Sequence, residues 1–180
     1  MGFAISILSQ GNTIAQEGEV MLLKTYENVD FSRYAGTWYE IARLPNRFQS
    51  KCAGNVTATY ELLEDGTLNV VNRCLKANGE WIEATGKARL ASKYGSKSRL
   101  KVRFAPAFLS FIPLVWGNYW IIDLADDYSF AAIGEPGLKY FWVLSRKPEL
   151  DDSTLCSILD RVKAQGYDLT NLVMTKQNHR

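Results

Sequence analysis

Residues 56–74 read VTATYELLEDGTLNVVNRC, and this stretch decides the fold class. Val56, Ala58, Tyr60 and Leu62 alternate with Thr57, Thr59 and Glu61. Glu64-Asp65-Gly66 then turns the chain, and Leu68, Val70, Asn72 and Cys74 alternate with Asn69, Val71 and Arg73. Apolar side chains at every second position put one face of an extended strand on a core. An Asp-Gly turn between two such runs makes a β-hairpin.

The same period continues outward. Ala77-Asn78-Gly79 turns into a segment in which Ile82, Ala84, Gly86, Ala88 and Leu90 face one way and Glu83, Thr85, Lys87 and Arg89 the other. Its apolar face is made of small side chains, whereas a strand lining a solid core carries larger ones, so open space is expected beside it. Leu100, Val102 and Phe104 alternate with Arg99, Lys101 and Arg103, and further strands are predicted over 119–124, 128–134, 140–146 and 36–43. Eight sequential antiparallel strands joined mostly by short turns close into an all-β, up-and-down barrel with room for one small ligand. One C-terminal α-helix follows. Asp151 and Asp152 suit its start, Gly166 its stop, and the stripe Leu155, Ile158, Leu159 and Val162 is expected to pack on the outside of the barrel.

The 180 residues, 47% hydrophobic and 22% charged, suit one domain with a sizeable core. That domain is read over 29–180, after an arm or signal remnant over 1–28. The apolar run Gly2–Leu8 is too short for an export signal and no positive charge precedes it. Lys and Arg number 21 against 19 Asp and Glu, with no long basic block, which speaks against a nucleic-acid partner. The single histidine, His179, is next to last, so neither a catalytic triad nor an imidazole metal site is expected; no catalytic residue, metal or cofactor is assigned. Of the three cysteines, Cys52 and Cys74 sit on what read as adjacent strands. One disulfide between them, with Cys156 as a buried thiol, is set against three free thiols.

Three motifs carry a family resemblance. Gly36-Thr37-Trp38-Tyr39, continued as Glu40 to Pro45, then Asp127-Tyr128, then Trp142-Val143-Leu144-Ser145-Arg146 resemble in order the three motifs of the lipocalins, and the likeness runs from about Val29 to Val173. Within that family the chain is similar to the bacterial outer-membrane lipocalins and apolipoprotein D. It departs from them at Asp126, where the second motif has threonine, and in having no cysteine before Cys52 for a lipid anchor. The resemblance implies that Arg146 lies across Trp38 at the closed end of the barrel, with Gly36 admitting the close approach and Tyr39 beside it, as a structural group. It also implies binding and transport or storage of fatty acids or lysophospholipids, in the periplasm or at the outer membrane.

Alternation assigns Val56, Ala58, Tyr60, Asn72, Ala88, Val102, Phe104, Phe130 and Trp142 to the lining of a ligand cavity, with Tyr60 and Asn72 as polar contacts; the plainer reading is a packed core. The run 104–116, FAPAFLSFIPLVW, is broken by Pro106 and Pro113 and does not read as a membrane-spanning helix. Placed at the barrel mouth, its Phe108, Phe111, Ile112 and Trp116 read as a lid, a membrane-touching lip or half of a homodimer contact. A non-catalytic carrier is the leading reading. The alternatives are a lipid-modifying enzyme using Glu40, Asp123 or Cys74, and an interaction module using residues 104–116.

Overall fold

The computed structural model describes residues 23–92, 95–105 and 116–178. Strands β1 (Gly36–Arg43), β2 (Gly54–Leu62), β3 (Leu68–Leu75), β4 (Trp81–Leu90), β5 (Arg99–Arg103), β6 (Gly117–Leu124), β7 (Phe130–Gly134) and β8 (Trp142–Ser145) pair antiparallel in chain order. β8 and β2 both pair with β1, which closes the barrel. Short helix α1 (Phe31–Tyr34) precedes β1, and helix α2 (Asp152–Lys163) and strand β9 (Val173–Met174) follow β8.

Two apolar cores share the wall. The inner one gathers Trp38, Tyr60, Leu68, Val70, Leu100 and Ile121, with Leu144 and Ile133 opposite. The outer one lies under α2, where Leu155, Ile158 and Val162 cover Ile41, Ala42, Ile122, Ala132 and Val143. Asp151 caps the helix by accepting from the Ser153 hydroxyl at 2.6 Å and the Thr154 N–H at 2.8 Å, and these contacts hold its carboxyl down at about 2.

Besides an irregularity in β2 between Gly54 and Thr57, two bulges set which side chains enter the barrel. One in β1, between Glu40 and Ala42, lets Glu40 and Arg43 meet across a turn of strand. The other, in β6 between Ile121 and Asp123, shifts the register against β7. The Ile121 carbonyl accepts there from the Tyr26 N–H at 2.9 Å, and Leu23 is buried in the outer core. Residues 23–28, read from sequence as part of the arm, thus lie against the barrel.

β9 fills a split in the wall. β2 pairs with β1 only from Gly36 to Tyr39; beyond that, Val173 and Met174 take the edge of β1. The Asn55 N–H donates to the Lys176 carbonyl at 2.8 Å, and the Gln177 amide donates to the carbonyls of Glu40 and Val56 at 2.8 and 2.9 Å. This seam, α1 and the turn Arg47–Gln49 have too few residues to show a period in the sequence.

Candidate ligand-binding site

The inward positions change character along the barrel axis. At the closed end Trp38 is fully buried and Arg146 lies over its ring at 3.9 Å. The guanidinium also donates to the carbonyls of Thr37, Arg33, Tyr34 and Ala35. Gly36 has φ +98°, and a Cβ there would stand 3.1 Å from Arg146 Nη1, so neither its backbone nor its space suits another residue. Tyr39 lies one position along β1 from Trp38, opposite Ser145 and Thr57. Tyr128, at φ +64°, is buried beside this group and accepts from the Asp30 N–H at 2.8 Å, with Arg33 over its ring.

Toward the other end the same face opens. Ala58, Asn72, Val102, Tyr119 and Trp142 are half-buried above the inner core, and Ala84 and Gly117 are exposed although they point inward. Phe104, 42% exposed, stands on the rim with its ring against Gly86, where a Cβ would come within 2.7 Å of it. Small side chains on β4 therefore line the more exposed end of the barrel, and Ala88 and Tyr60 lie buried beneath them.

Phe130 belongs elsewhere. It packs with the outer core, under Arg161 of α2, and Ala132 does the same, while Ala131 and Ile133 face inward. The cause is physical. Both faces of β7 are covered, so its sequence has no polar alternation to mark a face, and the β6 bulge resets the register beside it. Val56 is buried at the seam.

The rim is braced by the disulfide expected from the sequence and by a buried cluster around Glu40 that the sequence does not reveal. Cys52 and Cys74 form a disulfide tying the segment before β2 to β3. Cys156, expected to be buried, is a free and exposed thiol on the outer side of α2. Glu40, 2% exposed, accepts from Thr175 and Gln49 and pairs with Arg43 at 3.3 Å. Burial pushes its carboxyl up, against those hydrogen bonds. Gln49 also accepts from the Trp142 indole at 2.8 Å, so one buried carboxylate links β1, the turn Arg47–Gln49 and the seam. Partners separated by as many as 135 residues leave no local sequence signal.

Deeper, three tyrosines meet. Tyr119 Oη lies 2.7 Å from Tyr34 Oη and 2.8 Å from Tyr60 Oη. Burial raises all three hydroxyl pKa values, so they stay protonated.

The groups named as candidates for chemistry are engaged elsewhere. Cys74 is in the disulfide, and Asp123 is paired with Arg161 at 2.7 Å. Among the described residues no three acidic, histidine or cysteine side chains converge as a metal site, and no helix is long and apolar enough to cross a membrane. Phe108, Phe111 and Ile112 lie outside the described residues; Trp116 lies between the guanidinium groups of Arg89 and Arg103, 4.3 and 5.2 Å away.

Comparison with known proteins agrees with this architecture. Residues 29–177 match the lipocalin-like domain. Temperature-induced lipocalin-1 of Arabidopsis thaliana is 37% identical over 157 residues, which span 87% of this chain and 83% of that protein. The outer membrane lipoprotein Blc of Escherichia coli is 36% identical over 151 residues, 83% and 80% of the two chains. Insecticyanin from the tobacco hornworm Manduca sexta superposes with a TM-score of 0.67 at 19% identity, covering 87% of this chain and 85% of its own. Lipocalins bind small hydrophobic ligands, and members of the family are generally binding or transport proteins. With a closed barrel, an arginine-capped tryptophan at one end and a more exposed interior at the other, the chain belongs to the lipocalin family.

Proposed function

We propose that this chain carries one single-chain lipid, a fatty acid or lysophospholipid, in a cup above the inner core. The observation that supports this is the gradient along one wall: inward residues are sealed at Trp38, Leu68 and Leu100, yet Ala84 and Gly117 stay open to solvent. Burying an acyl chain against Ala58, Ala88, Val102 and Trp142 is worth about 0.8 kcal/mol per methylene, and no reacting group is needed. The test is native mass spectrometry of gently purified protein, then organic extraction. About one lipid per chain is expected; a folded chain that takes up no lipid from a fatty-acid and lysophospholipid panel overturns the reading.

A surface feature favours a membrane as the place of loading. On the outer wall Arg89 stands opposite Lys101, a like-charged cross-strand pair, with exposed Lys87 beside it and Arg99 next to it over the Trp120 ring at 4.5 Å. Like charges facing each other cost stability, and the face carries indoles as well as cations, a combination suited to anionic headgroups. The name of the Blc relative places that protein in the outer membrane, and the same setting in a cell envelope is proposed for this chain. Vesicles containing phosphatidylglycerol are expected to retain the protein, and Lys87→Glu with Lys101→Glu to release it. Equal retention of both proteins removes this face from the proposal, and a stable homodimer that masks it would redirect the face to self-association.

A further inference from the structure

The three tyrosines beneath the cup hold one more hydrogen than they use. Tyr34, Tyr60 and Tyr119 bring three O–H groups, and their two contacts, Tyr34 to Tyr119 and Tyr119 to Tyr60, each consume one hydrogen. However the hydroxyls rotate, one donor remains without an acceptor among the described residues. A buried donor left unmet is costly, and burial keeps these groups protonated, so the spare hydrogen cannot be shed at ordinary pH.

Connectivity singles out the hydroxyl that presents it: Tyr119 Oη is the central oxygen, in contact with both of the others. Tyr34 is 1% exposed and Tyr60 5% exposed, both within the inner core, while Tyr119 is half-buried and packs against that core from above. If Tyr34 and Tyr60 both donate to Tyr119, the central oxygen accepts twice and its own hydrogen is the spare one. Accepting two hydrogen bonds also strengthens that O–H as a donor.

Resting on the reading that the barrel carries one acyl chain, and replacing the free fatty acid or lysophospholipid named there with a neutral carbonyl lipid, we infer that Tyr119 donates this spare hydrogen to an uncharged carbonyl oxygen at the deep end of the bound ligand. The ligand class is an acyl chain bearing an ester, ketone or aldehyde. The chemistry of the pocket floor sets the charge. Its polar groups are three neutral hydroxyls, the rest of the inner core is apolar, and Arg146 lies beyond the Trp38 ring with its donors on four backbone carbonyls. A bare carboxylate or an ammonium would find no counter-charge there, whereas a carbonyl needs only one donor.

The test uses the full chain, methyl laurate with an isotope-labelled carbonyl, and dodecane as a chain without oxygen. The carbonyl stretch of the bound ester is expected well below its position in hexane. In Tyr119→Phe it is expected to return toward the hexane position, with ester affinity falling about tenfold and dodecane affinity unchanged. Tyr34→Phe weakens the relay but leaves Tyr119 its hydrogen, so the low-frequency band should persist. A bound ester whose band sits at the hexane position in the wild type overturns the inference. A low-frequency band that survives Tyr119→Phe assigns the donor to another group and overturns it equally. Should Tyr119→Phe fail to fold, 3-fluorotyrosine placed at position 119 decides: as a stronger donor it is expected to lower the band further, and a band that does not move overturns the inference. If neither ester nor dodecane binds, the carrier reading itself fails, an outcome distinct from binding without a carbonyl shift.

Discussion

The two ends of the barrel use the same strands and put different things on their inward positions. At the closed end Trp38, Leu68, Leu100 and Leu144 fill the interior, and Arg146 seals it with one ring contact and four carbonyl contacts. At the open end the inward positions include exposed Ala84 and Gly117 beside half-buried Asn72, Ala58, Val102 and Trp142, and bracing is added at the rim: the Cys52–Cys74 disulfide, the Glu40 cluster and the seam made by residues 173–178. The binding cup proposed above needs this division. Apolar side chains that would stabilise the open half are the ones that would occupy the ligand's space, so cross-links around the edge substitute for a core within it.

The largest effect is expected from reduction of the disulfide, or Cys52→Ser with Cys74→Ser, which should cost about 3 kcal/mol for a loop of this length and lower the thermal midpoint without disturbing the Trp38 environment. Next is Arg146→Ala. Loss of a partly buried cation–π contact and of donors to four carbonyls should cost about 2 to 3 kcal/mol in urea unfolding and leave the ligand preference of the folded fraction unchanged. A midpoint that does not move would erase the distinction between the ends. Near-ultraviolet circular dichroism separates the two variants.

Ala84→Phe sharpens the contrast from the other side. The position points inward but is exposed, so added bulk should change stability by less than about 0.5 kcal/mol while weakening lipid binding about tenfold by titration. The same substitution at a sealed position would unfold the chain. The smallest effect concerns pH. Glu40 has its carboxyl raised by burial, so its ionised form works against the fold: stability should rise as pH falls from neutral toward the ordinary carboxylate range near 4.5. Asp151 has the opposite sign, being held at about 2, and its contribution is lost only below the usual 3.8. Denaturant midpoints at pH 7 and pH 5 should differ in the wild type and agree more closely in Glu40→Gln.

What the sequence revealed follows from where one face of a strand meets water. β2, β3, β4 and β5 have polar outer faces, so alternation alone placed Ala58, Asn72, Ala88 and Val102 correctly on the inside. β7 is apolar on both faces because α2 covers one, and there alternation assigned Phe130 to the wrong side. The family motifs led directly to Trp38 and Arg146. The Glu40 cluster and the tyrosine relay were not legible, since each joins residues from distant elements and neither has a spacing to read. Cys156 shows a further limit, because a cysteine within an amphipathic helix can lie one step off the apolar stripe; here it is exposed beside buried Leu155.

The seam also bears on how the protein is made. The upper halves of β1 and β2 are joined through residues 173–178, which leave the ribosome more than a hundred residues after both strands. Until then the nascent barrel can pair its neighbours in order but has an unzipped slot running from the rim toward Tyr39, with strand edges on both sides. Closure of the wall is therefore a late, long-range step in folding.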